Sequence, residues 1–267
     1  MDNVALLKKY TPAVQFSRLL SEMSRKVASV AHRIQFKIEW RNDNPEHFDH
    51  NIDLYHKWKK TRSSYPIERG VWSSFAIAQE SELGLTLDLC CGDGFYSYYF
   101  YSLRSKQVLA IDFEPSAIKQ AKKMHNATNI NYLVGDIREN IPDGPFNNII
   151  WDAAIEHFTE VEIHSLMGRI KSVLTVDGVV SGYTIVEDHT GEKRLHQHEY
   201  EFHNKEDLAR FLSPWFKNVT VMVNKYPDRE NLYFYASDGN LPFEKENLLN
   251  VKKIGEIAVT ILPQIPL

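Results

Sequence analysis

The sequence predicts an α/β fold built on a mainly parallel sheet, with a helical extension in front of it. Three observations point there. From residue 83 onward, short apolar runs alternate with stretches of helical period, the pattern of βαβ units. The first run empties into a glycine turn, "LDLCCGDG" at 87 to 94, as a strand does when it turns back into a helix. Near the end two apolar runs stand close enough together to form an antiparallel hairpin.

Taken in order, residues 4 to 34 place Leu6, Leu7, Val14, Leu19, Leu20, Met23, Val27, Val30 and Ile34 at roughly helical intervals, giving one or two amphipathic helices broken near Pro12. Their apolar stripe needs a partner surface. "RNDNPEHFDHN" at 41 to 51 reads as a loop, and shorter helical pieces follow around 52 to 60 and 68 to 80. The parallel strands are expected at 84 to 90, 107 to 112, 130 to 135, 147 to 152 and 178 to 186. Between the last two, Ile163, Leu166, Met167, Ile170 and Leu174 make one helical stripe, closed by Asp177 and Gly178. Asn204 with Asp207 offers a capping pair for a helix to Leu212, ahead of the hairpin strands 217 to 225 and 231 to 237. The expected division is a helical extension or lid over 1–80, a nucleotide-type α/β domain over 81–240 and a tail over 241–267. The tail is apolar enough to pack somewhere, a second subunit in a homodimer included.

Composition narrows the function. A net charge of −4 over 267 residues supplies no overall field for a phosphate backbone, so nucleic acid is not favoured as a partner. The two cysteines, Cys90 and Cys91, are neighbours inside an apolar run, which is neither a disulfide framework nor a zinc spacing and fits a reducing compartment. Neither a run of about 18 apolar residues nor a secretory leader is visible, so a soluble, cytoplasmic protein is expected, with no membrane partner. The basic character of residues 1 to 34 also suits an organelle address.

At a strand end, Gly92-Asp93-Gly94 brings backbone N–H groups and bare Cα surface toward whatever lies beyond the sheet edge. Asp112 closes the second strand 18 residues after Gly94, where a carboxylate can accept from two ribose hydroxyls or can cap the helix beginning at Pro115. Ser97 stands where a dinucleotide fingerprint wants glycine or alanine, and a hairpin stands where the second βαβαβ half would be. Both departures point away from NAD.

"LDLCCGDG", "VLAIDFEP", "VGDI" and "IIWDAAIEHF" together resemble the successive motifs of class I S-adenosylmethionine-dependent methyltransferases of small molecules, over about residues 83 to 237. The resemblance implies a Rossmann-like seven-stranded sheet whose last strand is antiparallel, helices on both faces, and S-adenosylmethionine as cosubstrate. Carried over by motif, Asp88 would hold the methionine ammonium. Gly92 and Gly94 would make room for methionine and ribose, and Asp112 would grip the ribose hydroxyls. Asp136 would accept from the adenine amino group, with Ile137 and Phe113 on the two faces of the ring. Trp151 and Asp152 would border the donor methyl. The family usually has glycine where Cys90 stands, which implies a tighter fit at the methionine end. The aromatic run Phe95 to Tyr101 suggests a stacking platform or, on a helix, core.

A sulfonium methyl is already activated, so alignment, worth roughly 7 to 11 kcal/mol, outweighs a general base, worth about 10² to 10⁴ in rate. Candidate catalytic groups lie after the fourth and fifth strands, on the cofactor's edge of the sheet. His157 is either catalytic or structural. His196 and His198, with His203 nearby, are solvated, substrate-contacting, or ligands of a divalent metal completed by Glu199 or Glu201; a metal is not favoured. Tyr55, Trp58, Tyr65, Arg69 and Trp72 either line the acceptor pocket or dock the extension on the sheet. The acceptor region is rich in His, Glu, Tyr and Arg, which suits the hydroxyl of a polar metabolite such as a sugar, a nucleotide-sugar or a natural-product intermediate. N-methylation of a small amine is the first alternative. RNA modification, resting on Lys57, Lys59, Lys60 and Arg62, and an inactive cofactor-binding partner stand behind it.

Overall fold

The computed structural model describes residues 12–40, 64–79, 82–186, 197–227 and 229–241. The chain forms two compact units, Met1–Lys60 and Thr61–Leu267. In the first, α1 (Pro12–Trp40) is one uninterrupted helix. Proline is at home in a first turn, where its missing N–H would have no partner, so Pro12 suits the start of this helix; the residues before it lie outside those described. The apolar stripe from Phe16 through Ile38 is exposed.

The second unit opens with α2 (Tyr65–Ser73) and α3 (Phe75–Gln79), which the sequence grouped with the extension. The remaining elements are β1 (Gly84–Leu89), β2 (Ser105–Asp112), α4 (Pro115–Met124), β3 (Ile130–Val134), β4 (Phe146–Asp152), α5 (Glu160–Val173), β5 (Leu174–Ile185), α6 (Lys205–Leu212), β6 (Asn218–Tyr226) and β7 (Arg229–Ser237). The sheet has seven strands in the order β3-β2-β1-β4-β5-β7-β6, and only β7 runs against its neighbours. From β1 the chain steps outward through β2 and β3, then returns to the other side of β1 as β4. The order therefore reverses between β1 and β4, and ligands of such sheets bind outside the carboxyl ends at that reversal.

Strand alternation builds two cores. Leu87, Leu89, Ile149, Trp151 and Phe234 face the buried stripes of α5 and α6. Val108, Ala110, Ile150, Tyr233 and Tyr235 face α3, α4 and the aromatic segment. By the same period of two, Asp88 and Asp152 belong to this second face, beside α2. The helix α2 is fastened there: Tyr96 Oη donates to the Pro66 carbonyl at 2.8 Å, Ser181 Oγ to the Ser73 carbonyl at 2.8 Å, and Tyr235 Oη to the Trp72 carbonyl. Tyr65 is buried and Trp72 rests against Phe75 and Tyr233.

Two local expectations are corrected. The α5 helix ends at Val173, and Leu174 starts β5 by pairing with Phe146, so Asp177 and Gly178 lie inside a strand with shifted register. Strand pairing there takes the residues that helical periodicity had assigned to the last turn. The aromatic run is a single α turn followed by a π-helix, Ser97–Tyr101. Phe95, Tyr96, Phe100 and Tyr101 are buried, which makes these rings core and not a platform for bases.

Candidate active site

Within five residues after β1, three backbones are left-handed: Cys90 (φ 58°), Gly92 (φ 57°) and Gly94 (φ 75°). The conformation costs glycine little and a side-chain-bearing residue roughly 1 to 2 kcal/mol. At Gly94 the missing side chain serves the protein itself, because a Cβ would stand 2.6 Å from the Tyr132 ring. Gly92 donates its N–H to Asp112 Oδ2 at 2.8 Å, and Glu114 donates its own to Asp112 Oδ1 at 2.9 Å. One carboxylate thus ties the glycine turn to the end of β2. Burial holds its pKa above the usual carboxylate range, against the pull of those two amides. Burial also pushes both cysteine thiols well up, so neither is a thiolate nucleophile.

Asp88 is 3% exposed and accepts a hydrogen bond from Ser97 Oγ. Burial pushes its pKa up to about 8. Asp136 sits after β3 with its carboxylate held by the Arg138 guanidinium at 2.6 Å, which lowers its pKa. Phe113 is 61% exposed at the same edge, whereas Ile137 is 2% exposed and belongs to the core under it. Only the first offers an open face to a flat ligand.

The end of β4 carries a buried polar cluster. Asp152 Oδ2 accepts from Arg69 Nε at 2.6 Å and from Tyr101 Oη at 3.3 Å, and Oδ1 accepts from Ser73 Oγ at 2.7 Å. The Arg69 guanidinium lies 4.4 Å over the Tyr96 ring and 5.3 Å over that of Tyr183. Burial raises the Asp152 pKa, opposed by Arg69 and Ser73. Trp151, directly before it, is fully buried against Phe158. The sequence named Asp152 and Arg69 separately. Ser73 and Tyr101 carried no signal there, since each stands in a stretch with a sufficient local explanation.

Beyond β4 a short turn, Ile155–His157, meets the segment that returns after β5. The Glu156 carbonyl accepts N–H groups from Glu199 at 2.8 Å and Tyr200 at 3.1 Å, which fixes the two together. His157 and His198 thereby come to 5.2 Å between ring centroids. His198 Nδ1 meets Glu201 Oε1 at 2.7 Å, and His157 Nδ1 meets the Gln197 carbonyl at 3.1 Å. His196 lies outside the described residues, as do Tyr55, Trp58 and the basic cluster at 57 to 62. His203 is exposed and donates its N–H to Asp207 at the start of α6. Glu156 was missed, although its place beside His157 at a strand end was a usable signal. It is buried, with Thr184 Oγ1 donating to Oε2 at 3.0 Å.

Residues 86–178 match the family described as a methyltransferase domain. Over that stretch the chain carries a methyltransferase domain. Solved structures with the same fold include the N-methyltransferase NodS from Bradyrhizobium japonicum WM9 in complex with S-adenosyl-L-homocysteine, at 15% identity over 77% of this chain and 97% of that one, TM-score 0.54. The complex of DhpI with SAH is 16% identical over 70% of this chain and 92% of the other, TM-score 0.53. The 1,6-didemethyltoxoflavin-N1-methyltransferase of Burkholderia thailandensis is 19% identical over 70% and 86%, TM-score 0.52. At these identities the methyltransferase domain shares a fold with them and no more. No curated protein matches the sequence. No helix among the described residues is long and apolar enough to cross a membrane.

Proposed function

We propose that this methyltransferase moves the methyl group of S-adenosylmethionine to a hydroxyl of a small polar metabolite, in the class of sugars, nucleotide-sugars or natural-product intermediates. The observation that carries the choice of acceptor is the gathering of Glu156, His157 and His198 beyond β4, on the edge of the sheet where the glycine turn lies. The acceptor oxygen attacks the methyl carbon, the C–S bond pair stays on sulfur, and the hydroxyl proton is drawn off at this group. The buried Asp152 carboxylate, which could otherwise hold a cationic amine, is already neutralised by Arg69.

On the donor side Asp88 receives the methionine ammonium and Asp112 the ribose hydroxyls, while Gly92 gives the backbone room to approach. Asp136 faces the adenine amino group, with Phe113 as its stacking partner and Ile137 supporting from the core. Trp151 and Asp152 border the methyl, and Cys90 shapes the methionine end.

Incubation with S-adenosylmethionine and a metabolite extract, read by a mass gain of one methylene, tests the acceptor class. A labelled hydroxyl is expected, and a labelled amine or RNA would overturn it. Donor binding is tested separately by calorimetry with S-adenosyl-L-homocysteine. Asp112→Ala is expected to weaken it by about 1 to 3 kcal/mol through lost hydrogen bonds, and unchanged affinity would take Asp112 out of the site.

A further inference from the structure

We propose that Glu156, His157 and His198 bind a divalent first-row metal ion. One ligand atom from each of the three lies within 4.8 Å of the other two. Metal–ligand bonds of roughly 2.0 to 2.2 Å put ligand atoms about 3 to 4 Å apart, so the three groups have to close in by about 1 to 2 Å at most.

The hydrogen bonds behind the rings prepare both for this role. Glu201 Oε1 and the Gln197 carbonyl are acceptors, so the Nδ1 atoms that meet them at 2.7 and 3.1 Å carry the hydrogens. In the neutral ring, the form a metal binds, the lone pair is then on Nε2. A carboxylate or carbonyl behind the ring is the arrangement that orients metal-binding histidines and fixes their tautomer. Thr184 does the same for Glu156, holding Oε2 at 3.0 Å and leaving Oε1 for a cation. The two backbone hydrogen bonds to the Glu156 carbonyl set the histidines together without a metal, so binding needs little ordering of the chain.

The donor set selects the ion. Magnesium and calcium take oxygen ligands, whereas two imidazoles and one carboxylate suit zinc, manganese, iron or cobalt. Three protein ligands leave positions open for an acceptor. Resting on the hydroxyl-methylation reading, the inference gives it a cause: a hydroxyl bound to the cation loses its proton to solvent more readily, and neither histidine then has to take it up. The residues differ from those the sequence suggested. Glu201 stands behind His198 as its hydrogen-bond partner, and Glu199 contributes its backbone N–H.

The test is titration of the metal-stripped full chain with Co²⁺, followed by visible absorption. One equivalent is expected, displaced by Zn²⁺. His157→Gln and His198→Gln should each weaken binding by on the order of a hundredfold, and Glu201→Gln by about 10 to 100-fold, with far-UV dichroism unchanged. Should a variant at buried His198 fail to fold, the wild-type titration and the half-exposed His157→Gln still decide. No uptake of Co²⁺ or Zn²⁺ at millimolar concentration by the folded wild type overturns the site, as does binding that survives His157→Gln undiminished. Hydroxyl methylation that persists after complete metal removal overturns the metal's role and leaves the acceptor reading standing. Co²⁺ binding in a protein that methylates only amines does the reverse.

Discussion

The two halves of the sheet's carboxyl edge are built differently. On the side of β1, β2 and β3, each carboxylate finds its partner no more than 20 residues away in sequence: Asp88 with Ser97, Asp112 with Gly92 and Glu114, Asp136 with Arg138. On the side of β4 and β5 the partners come from far along the chain. Asp152 is held by Arg69 and Ser73, 83 and 79 residues away, and His157 by Gln197, 40 residues away. A local motif keeps its geometry because few residues have to agree. A site assembled from distant segments depends on the whole packing, and its chemistry can change when one segment changes.

The comparison breaks first at Arg69. Its guanidinium and the Asp152 carboxylate are 12% and 4% exposed, so the pair is buried. Removing one partner leaves a charge without compensation. Arg69→Ala is expected to cost about 3 to 5 kcal/mol in denaturant unfolding, and pairing Arg69→Met with Asp152→Asn should recover most of it. A loss below about 1 kcal/mol would mean that the β4 side does not depend on its distant partner.

Asp88 sharpens the other half. With its pKa up at about 8, the free protein keeps this carboxyl protonated at neutral pH. A cationic ammonium requires the ionised form, so donor affinity should fall about tenfold per unit as pH drops below 8. Folding stability runs the other way. A raised native pKa contributes stability in full below the ordinary carboxylate value and loses it as pH rises through about 8. Asp88→Asn should flatten both profiles, measured by calorimetry and by unfolding across pH 5 to 9. An unchanged affinity profile would remove Asp88 from the ammonium.

The smallest effect is at Cys90, whose φ of 58° is a conformation for glycine. Cys90→Gly should raise stability by roughly 0.5 to 1 kcal/mol, relief of strain outweighing the added freedom of the unfolded chain. A fall in the thermal midpoint would show instead that the packing of Cys90 against the core matters more.

How far the sequence reached follows the same division. The strand runs, the glycine turn, Asp112 at the end of β2 and the closing hairpin were all legible, because each is written in consecutive residues. Leu174 was misplaced because a helical stripe and the start of a strand share apolar residues, and only pairing with Phe146 separates them. Ser73 and Tyr101 were invisible as site residues, since nothing beside them in sequence says what they will face, whereas Glu156 stands next to His157 at a strand end and could have been read.

By itself the sequence determined the alternation of strand and helix, and with it the sheet edge at which the glycine turn presents bare backbone. Period and turn chemistry are properties of neighbouring residues. The tertiary structure alone decided that α2 would bring Arg69 and Ser73 to Asp152, and that the return after β5 would bring His198 to Glu156 and His157. Those contacts exist only once the sheet has buried both faces, because the packed cores, and not the chain between the residues, fix the distances among them.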